Sequence, residues 1–132
     1  MRRLPDSPLL RFAIVGTIGF VVDAGVLTLL HRAAGIDLYL GRLASFLAAA
    51  TVTWALNRRF TFRAREPAGP GEWLRWVALM GGGAAINYLV YAWAIAGWPV
   101  ALDPVAAVAA GSLAGLAWNY LGARRLYRTN GA

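Results

Sequence analysis

The chain has 132 residues, 59% of them hydrophobic and only 14% charged, with 13 arginines, no lysine, 6 acids and a formal net charge of +7. Soluble domains carry about 25% charged residues, so an ordinary soluble enzyme is excluded, and the length leaves room for one structural unit rather than a catalytic domain beside a membrane anchor. There is no cysteine, which removes disulfides, thiol nucleophiles and cysteine metal sites and leaves the redox compartment undetermined.

The charges gather in short clusters between long apolar stretches. Phe12 to Leu30 has Asp23 as its only charge and reads as the first span. It is longer than the ~7 to 15 residues of a signal-peptide core and is expected to be retained. Leu38 to Leu56, with Arg42 as its only charge, is the second span. A polar central loop follows at Asn57 to Leu74, its Pro67 to Gly71 run reading as a flexible hinge with no helical or strand pattern. Trp76 to Trp98 and Val105 to Ala123 carry no charge and form the third and fourth spans, joined by a short turn around Pro99, Asp103 and Pro104. A bilayer core of ~30 Å needs about 20 helical residues, which each stretch supplies. Helices of a soluble bundle would keep a polar face, and these are apolar nearly all round.

Arginine placement predicts the orientation. Arg2, Arg3 and Arg11 precede the first span, Arg58, Arg59, Arg63, Arg65 and Arg75 lie between the second and third, and Arg124, Arg125 and Arg128 follow the fourth. Only Arg32 and Arg42 lie on the other side. Both termini and the central loop are therefore expected in the cytoplasm, in a multi-pass protein of the inner (cytoplasmic) membrane. No nucleic-acid partner is expected despite the high pI, because these arginines flank spans and form no basic domain.

The chain also repeats itself. An offset of 64 pairs Leu10-Arg11-Phe12 with Leu74-Arg75-Trp76, Gly19 with Gly83, and Asp23 with Asn87. An offset of 66 pairs Ser45, Ala49 and Thr53 with Gly111, Gly115 and Asn119, Trp54 with Tyr120, and Arg58-Arg59 with Arg124-Arg125. The expected architecture is an all-α membrane protein: a single domain of four transmembrane helices as two tandem parallel helical hairpins, repeat one about 10–63 and repeat two about 74–128. An even number of spans per repeat implies a pseudo-twofold axis along the membrane normal.

Gly111, Gly115 and Asn119 recur every four residues, as do Ser45, Ala49 and Thr53, so each set lines one helix face. Small residues at that spacing let backbones approach closely in lipid, and Gly19 and Gly83 serve the same packing on the first and third helices. Asp23 lies twelve residues beyond Arg11, ~18 Å into the membrane, where a carboxylate costs about 2.5 to 3.5 kcal/mol and needs a partner. Arg42 lies sixteen residues before Arg58, ~24 Å up the adjacent helix, and shares the face of Ser45 and Thr53. We expect the two charges to face each other. Their repeat counterparts, Asn87 and Val108, lack charge together.

Catalytic groupings are scarce. His31 is the only histidine and sits beside Arg32 at a helix end, where it reads as an interfacial residue. No metal site, cofactor, Gly-rich phosphate loop or Ser-His-Asp set is expected, and no enzymatic activity. An arginine pair at headgroup level suits a phosphate, because a guanidinium stays charged and binds oxyanions through paired donors. A ligand with one phosphate and a long apolar tail would match the arginines and the apolar exterior.

The entry Arg11-Phe-Ala-Ile-Val-Gly16 with Asp23, the exit Thr53-Trp-Ala-Leu-Asn-Arg-Arg-Phe-Thr-Phe62, and the echo Asn119-Tyr120 with Arg124-Arg125 resemble the GtrA-like family of small four-helix membrane proteins. The resemblance runs from about Leu10 to Tyr127 and departs from the family at Thr53-Trp54, where Asn followed by an aromatic is common. It implies a role in cell-surface polysaccharide synthesis, moving a polyprenyl-phosphate-linked sugar across the membrane, in association with a membrane glycosyltransferase. It further implies phosphate contacts at Arg58 and Arg59 and at Arg124 and Arg125, with Arg11 and Arg75 adding to the headgroup set. Asp23, Asn87 and Asn119, together with Arg42 and Asn57, would form the polar interior. Two other readings compete: a non-transporting subunit or scaffold for a polyprenyl-phosphate glycosyltransferase, and a small cation or drug exporter using Asp23. Four helices enclose little volume, so a lipid-sized substrate would need a homodimer or a lateral opening.

Overall fold

The computed structural model describes residues 6–97 and 103–130. Among these residues the chain is all helical: α1 (Pro8–Ala34), α2 (Leu38–Leu56), α3 (Pro70–Ala96) and α4 (Pro104–Asn130), with a π-helical turn at Asn57–Thr61 that continues α2. All four helices are long and apolar enough to cross a membrane. The chain falls into two compact units divided after Val77, the first holding α1, α2 and the start of α3, the second the rest of α3 and α4.

Each helix begins on a proline or an aspartate cap. Pro8 opens α1 behind Ser7, whose Oγ accepts from the Leu10 N–H at 3.4 Å. Pro70 opens α3 and Pro104 opens α4, positions where the missing N–H has no intrahelical partner to lose. Asp37 Oδ1 accepts from the N–H groups of Tyr39 and Leu40 at 2.9 and 3.0 Å. Asp103 Oδ1 does the same for Val105 and Ala106, also at 2.9 and 3.0 Å. Gly35 takes φ 66°, ending α1 in the left-handed conformation that lets α2 start after a three-residue turn.

Helix ends differ from the expected spans for one reason. Arginine is a good helix former, so charge marks where hydrocarbon ends and not where the helix does. Thus α1 begins before Arg11, and α4 runs through Arg124, Arg125 and Arg128. The central loop also shrinks from Asn57–Leu74 to residues 62–69, because Asn57 to Thr61 is helical and the last two residues of the expected hinge, Pro70 and Gly71, open α3. Arg2, Arg3, Trp98 and Pro99 lie outside the described residues.

The exterior is apolar and much of the interior is polar. Phe20, Val21, Leu29, Leu43, Leu74, Tyr88, Leu89, Leu113 and Leu121 are exposed, while Arg11, Ser45, Thr53, Asn57 and Thr61 are buried. That is the arrangement a hydrocarbon solvent selects, since it offers apolar side chains no reason to hide and polar ones no partner.

Candidate functional site

In the first unit, every fourth residue of α2 and its π-turn is buried: Gly41, Ser45, Ala49, Thr53, Asn57 and Thr61. This stripe faces α1, where a Cβ added to Gly19 would collide with the Thr53 side chain. Thr53 bonds its own helix, Oγ1 donating to the Ala50 carbonyl at 3.0 Å, so it keeps its hydroxyl satisfied while its methyl packs. At the π-turn, Thr61 Oγ1 donates to Asn57 Oδ1 at 2.6 Å. A π-turn pairs each N–H with a carbonyl five residues back, as Phe62 N–H does with Asn57 at 2.9 Å, and such turns recur at functional positions.

At the Leu38 end of α2 the stripe meets the expected ion pair. Arg42 Nη1 donates to Asp23 Oδ2 at 2.6 Å, and Ser45 Oγ lies 2.6 Å from Asp23 Oδ1, within donating distance. The same Ser45 oxygen lies 3.1 Å from the Arg42 carbonyl. Both carboxylate oxygens are therefore engaged. Asp23 is largely covered, its side chain 18% exposed, whereas that of Arg42 is 62% exposed.

At the other end of the stripe the arginines separate into two kinds. Arg58 is held inside: Nε donates to both oxygens of Glu72 at 3.0 and 3.2 Å, and Nη2 donates to the Glu66 carbonyl. Glu72 Oε1 also accepts from Trp54 Nε1 at 3.2 Å. Arg59 points out, its guanidinium carbon 5.6 Å from the centroid of the Phe60 ring, and Arg75 is exposed on α3. Arg11 is buried, with Nη2 3.8 Å from Asp6 Oδ1. Next to it Phe12 meets Phe62 and Trp76 edge to face, both at 6.3 Å between centroids.

Of the expected headgroup residues in this unit, then, Arg59 and Arg75 present their charge outward, while Arg58 is already neutralised by an acid. Sequence reasoning missed Glu72 and Trp54. A signal for Glu72 exists, since an acid in the first turn of a helix faces the positive end of the macrodipole, but the adjacent Pro67 to Gly71 run hides that turn from the sequence pattern.

The second unit has its own stripe on α4: Ala107, Gly111, Gly115, Ala123 and Tyr127 are buried, with Asn119 half-buried among them. A Cβ on Gly111 would lie 2.5 Å from the Asn87 carbonyl oxygen, one on Gly115 would lie 3.0 Å from that of Gly83, and one on Gly83 would collide with the Asn119 side chain. Trp118 Nε1 donates to the Leu79 carbonyl at 3.2 Å. Asn119 Oδ1 is buried and finds no hydrogen-bond donor among the described residues. Arg124 and Arg125 are exposed on the last turns of α4.

The contacts of the two units correspond. Offsets of 64 and 66 carry Gly19 against Thr53 onto Gly83 against Asn119, Asp23 against Ser45 onto Asn87 against Gly111, and the Asp37 cap onto the Asp103 cap. Chemically, each hairpin offers arginines at the end of its second helix and polar groups along its inner face. The first adds an ion pair at the far end. Such an arrangement can hold an oxyanion at one level and lower the cost of a polar group at another.

The model of the family described as GtrA/DPMS, transmembrane domain, matches residues 11–127. No solved structure matches the chain.

Proposed function

The chain belongs to the GtrA/DPMS transmembrane-domain family, multi-pass membrane proteins that take part in handling polyprenyl-phosphate sugars, and on that premise we propose that it flips such a lipid across the membrane. The cargo is a polyprenyl-phosphate-linked sugar, or polyprenyl phosphate itself, destined for cell-surface polysaccharide synthesis. One observation carries this reading: two outward-facing guanidiniums, those of Arg59 and Arg42, stand near the opposite ends of one helix long enough to cross the membrane. A charged phosphate crossing hydrocarbon without such partners would lose on the order of tens of kcal/mol of hydration. The prenyl tail needs no channel, because the apolar exterior lets it stay in lipid.

Arg59 makes the first phosphate contact in the first unit, with Arg75 beside the same loop, and Arg124 and Arg125 act likewise in the second. Arg58, paired with Glu72, sets the geometry of the π-turn. We read the corresponding contacts of the two units as a tandem parallel repeat, and the arginine excess as placing both termini and residues 62–69 in the cytoplasm.

Reconstituted vesicles test the proposal. The protein should accelerate transbilayer movement of a short-chain polyprenyl-phosphate sugar, and Arg59→Ala should slow it about tenfold with no change in melting temperature. A rate equal to that of protein-free vesicles would sink the idea. The family's association with polyprenyl-phosphate sugar glycosyltransferases supports a second reading, that the chain positions such an enzyme. That reading requires copurification with the enzyme and a transfer defect that persists when substrate is supplied on the correct side. Cation exchange at Asp23 loses ground, since Arg42 and Ser45 occupy both carboxylate oxygens.

A further inference from the structure

We propose that Asp23, Arg42 and Ser45 form a second phosphate site, at the Leu38 end of α2, which takes the phosphate ester of a membrane lipid through the outward edge of the Arg42 guanidinium. The proposal deepens the flipping reading and rests on it.

The carboxylate is an orienting group here. Its two oxygens are taken by Arg42 Nη1 and Ser45 Oγ, both at 2.6 Å, and Ser45 is fully buried against α1. One corner of the guanidinium is therefore fixed. Among the described residues nothing accepts from Arg42 Nε or Nη2, and the side chain is 62% exposed on the outside of the hairpin. A guanidinium presents five N–H donors in a rigid fork, so fixing one corner aims the others along a set direction that suits an oxyanion.

Magnitude favours a transit site over a trap. A bare arginine in low dielectric would grip a phosphate strongly, whereas Asp23 has already cancelled the net charge, leaving directional hydrogen bonds. Passage requires binding favourable enough to enter and weak enough to leave. Arg59, which has no such acid beside its guanidinium among the described residues, is the stronger station. Seventeen residues of helix, roughly 25 Å at 1.5 Å each, separate Arg42 from Arg59, so the two stations stand at opposite membrane levels.

The second hairpin serves as an internal control. There the same approach of helices is made by Asn87 against Gly111, with Val108 in place of Arg42. Packing alone does not require the ion pair. An exposed guanidinium in a span is expensive, and a helix interface that forms without one gives folding no reason to keep it.

The test is site-resolved arginine modification of the full chain in a neutral detergent, using phenylglyoxal and mass spectrometry. Dodecyl phosphate should slow modification of Arg42 at least fivefold and leave Arg32, exposed at the end of α1, unchanged. Inorganic phosphate and dodecylphosphocholine at the same concentration should protect less than twofold. Equal protection by inorganic phosphate would overturn the lipid source, and equal protection by dodecylphosphocholine would reduce the site to general headgroup contact. Absence of protection would overturn the proposal outright. Asp23→Asn should lower protection below twofold; if that variant does not fold, Ser45→Ala, which keeps the ion pair but releases the second carboxylate oxygen, should weaken protection by a smaller factor. Because the readout is binding, a protected Arg42 without flipping refutes the transport reading, and flipping with an unprotected Arg42 refutes this one.

Discussion

The two hairpins reach the same backbone approach by different chemistry. In the first, Gly19 receives Thr53 and Asp23 lies against Ser45, so the interface is filled by hydrogen-bonding side chains and one ion pair. In the second, Gly83 receives the Asn119 side chain and the Asn87 backbone lies close against Gly111, so it is closed by uncharged contacts. The ends differ as well: α2 widens into a π-turn that carries Arg58 and Arg59, whereas α4 runs as an unbroken α-helix past Arg124 and Arg125. Where one solution packs without charge, the charged alternative is better explained by what it does than by what it stabilises.

The largest effect should come from filling the tight contact of the second hairpin. Gly111→Ala would put a methyl 2.5 Å from the Asn87 carbonyl oxygen, and a helix backbone cannot swing aside as a side-chain end can. Overpacking of this kind costs about 1 to 3 kcal/mol, and we expect the upper end, seen as a melting temperature lowered by several degrees in detergent. The corresponding position of the first hairpin already carries a Cβ, so Ser45→Ala should cost less than half as much. Equal losses at the two positions would erase the contrast.

Next comes the ion pair. Arg42→Val alone leaves the Asp23 carboxylate with only Ser45, a loss of about 2 kcal/mol after discounting for the exposure of the arginine. Adding Asp23→Asn gives this position the residues of the second hairpin and should recover most of that loss. A coupling of about 1 to 2 kcal/mol in the double-mutant cycle is the expected outcome, and additive effects would mean the two charges do not depend on each other.

These two experiments also separate what could be read from the sequence. The pairing of Asp23 with Arg42 was legible because helical rise fixes depth and a lone charge in hydrocarbon demands a partner. The glycine positions were legible because small residues at four-residue spacing mark a packing face. The π-turn was not, since nothing in Asn57 to Thr61 distinguishes a wide turn from an ordinary one until its hydrogen bonds are seen. Nor was the Arg58–Glu72 pair, whose members lie fourteen residues apart across a segment read as loop. Stripe residues Thr61 and Tyr127 are not legible as packing positions, because each lies beyond an arginine pair where hydrophobicity gives no sign that the helix continues.

Glu72 offers a smaller, third test. Glu72→Ala should cost about 1 kcal/mol, since one acid anchors both Arg58 and the Trp54 indole at a membrane edge where water can partly replace it. Its clearer sign is chemical: Arg58 should become several-fold more reactive to phenylglyoxal while Arg124 and Arg125 of the second hairpin stay unchanged. An unaltered Arg58 would show that the Glu66 carbonyl, and not the acid, holds it.

The smallest effect runs the other way. Gly16 and Gly25 lie on α1 with nothing within 4 Å of an added Cβ, and the residues 64 positions further on are Met80 and Leu89. Neither glycine makes a close approach, so each only loosens the helix. Replacing either with alanine should stabilise the protein by about 0.5 to 1 kcal/mol, the helix-propensity difference, with a small rise in melting temperature. Gly19→Ala on the same helix should destabilise, because its Cβ would meet buried Thr53. If Gly16→Ala lowers stability as Gly19→Ala does, an unseen surface packs against that side of α1, and a second copy of the chain or a partner enzyme becomes the first place to look.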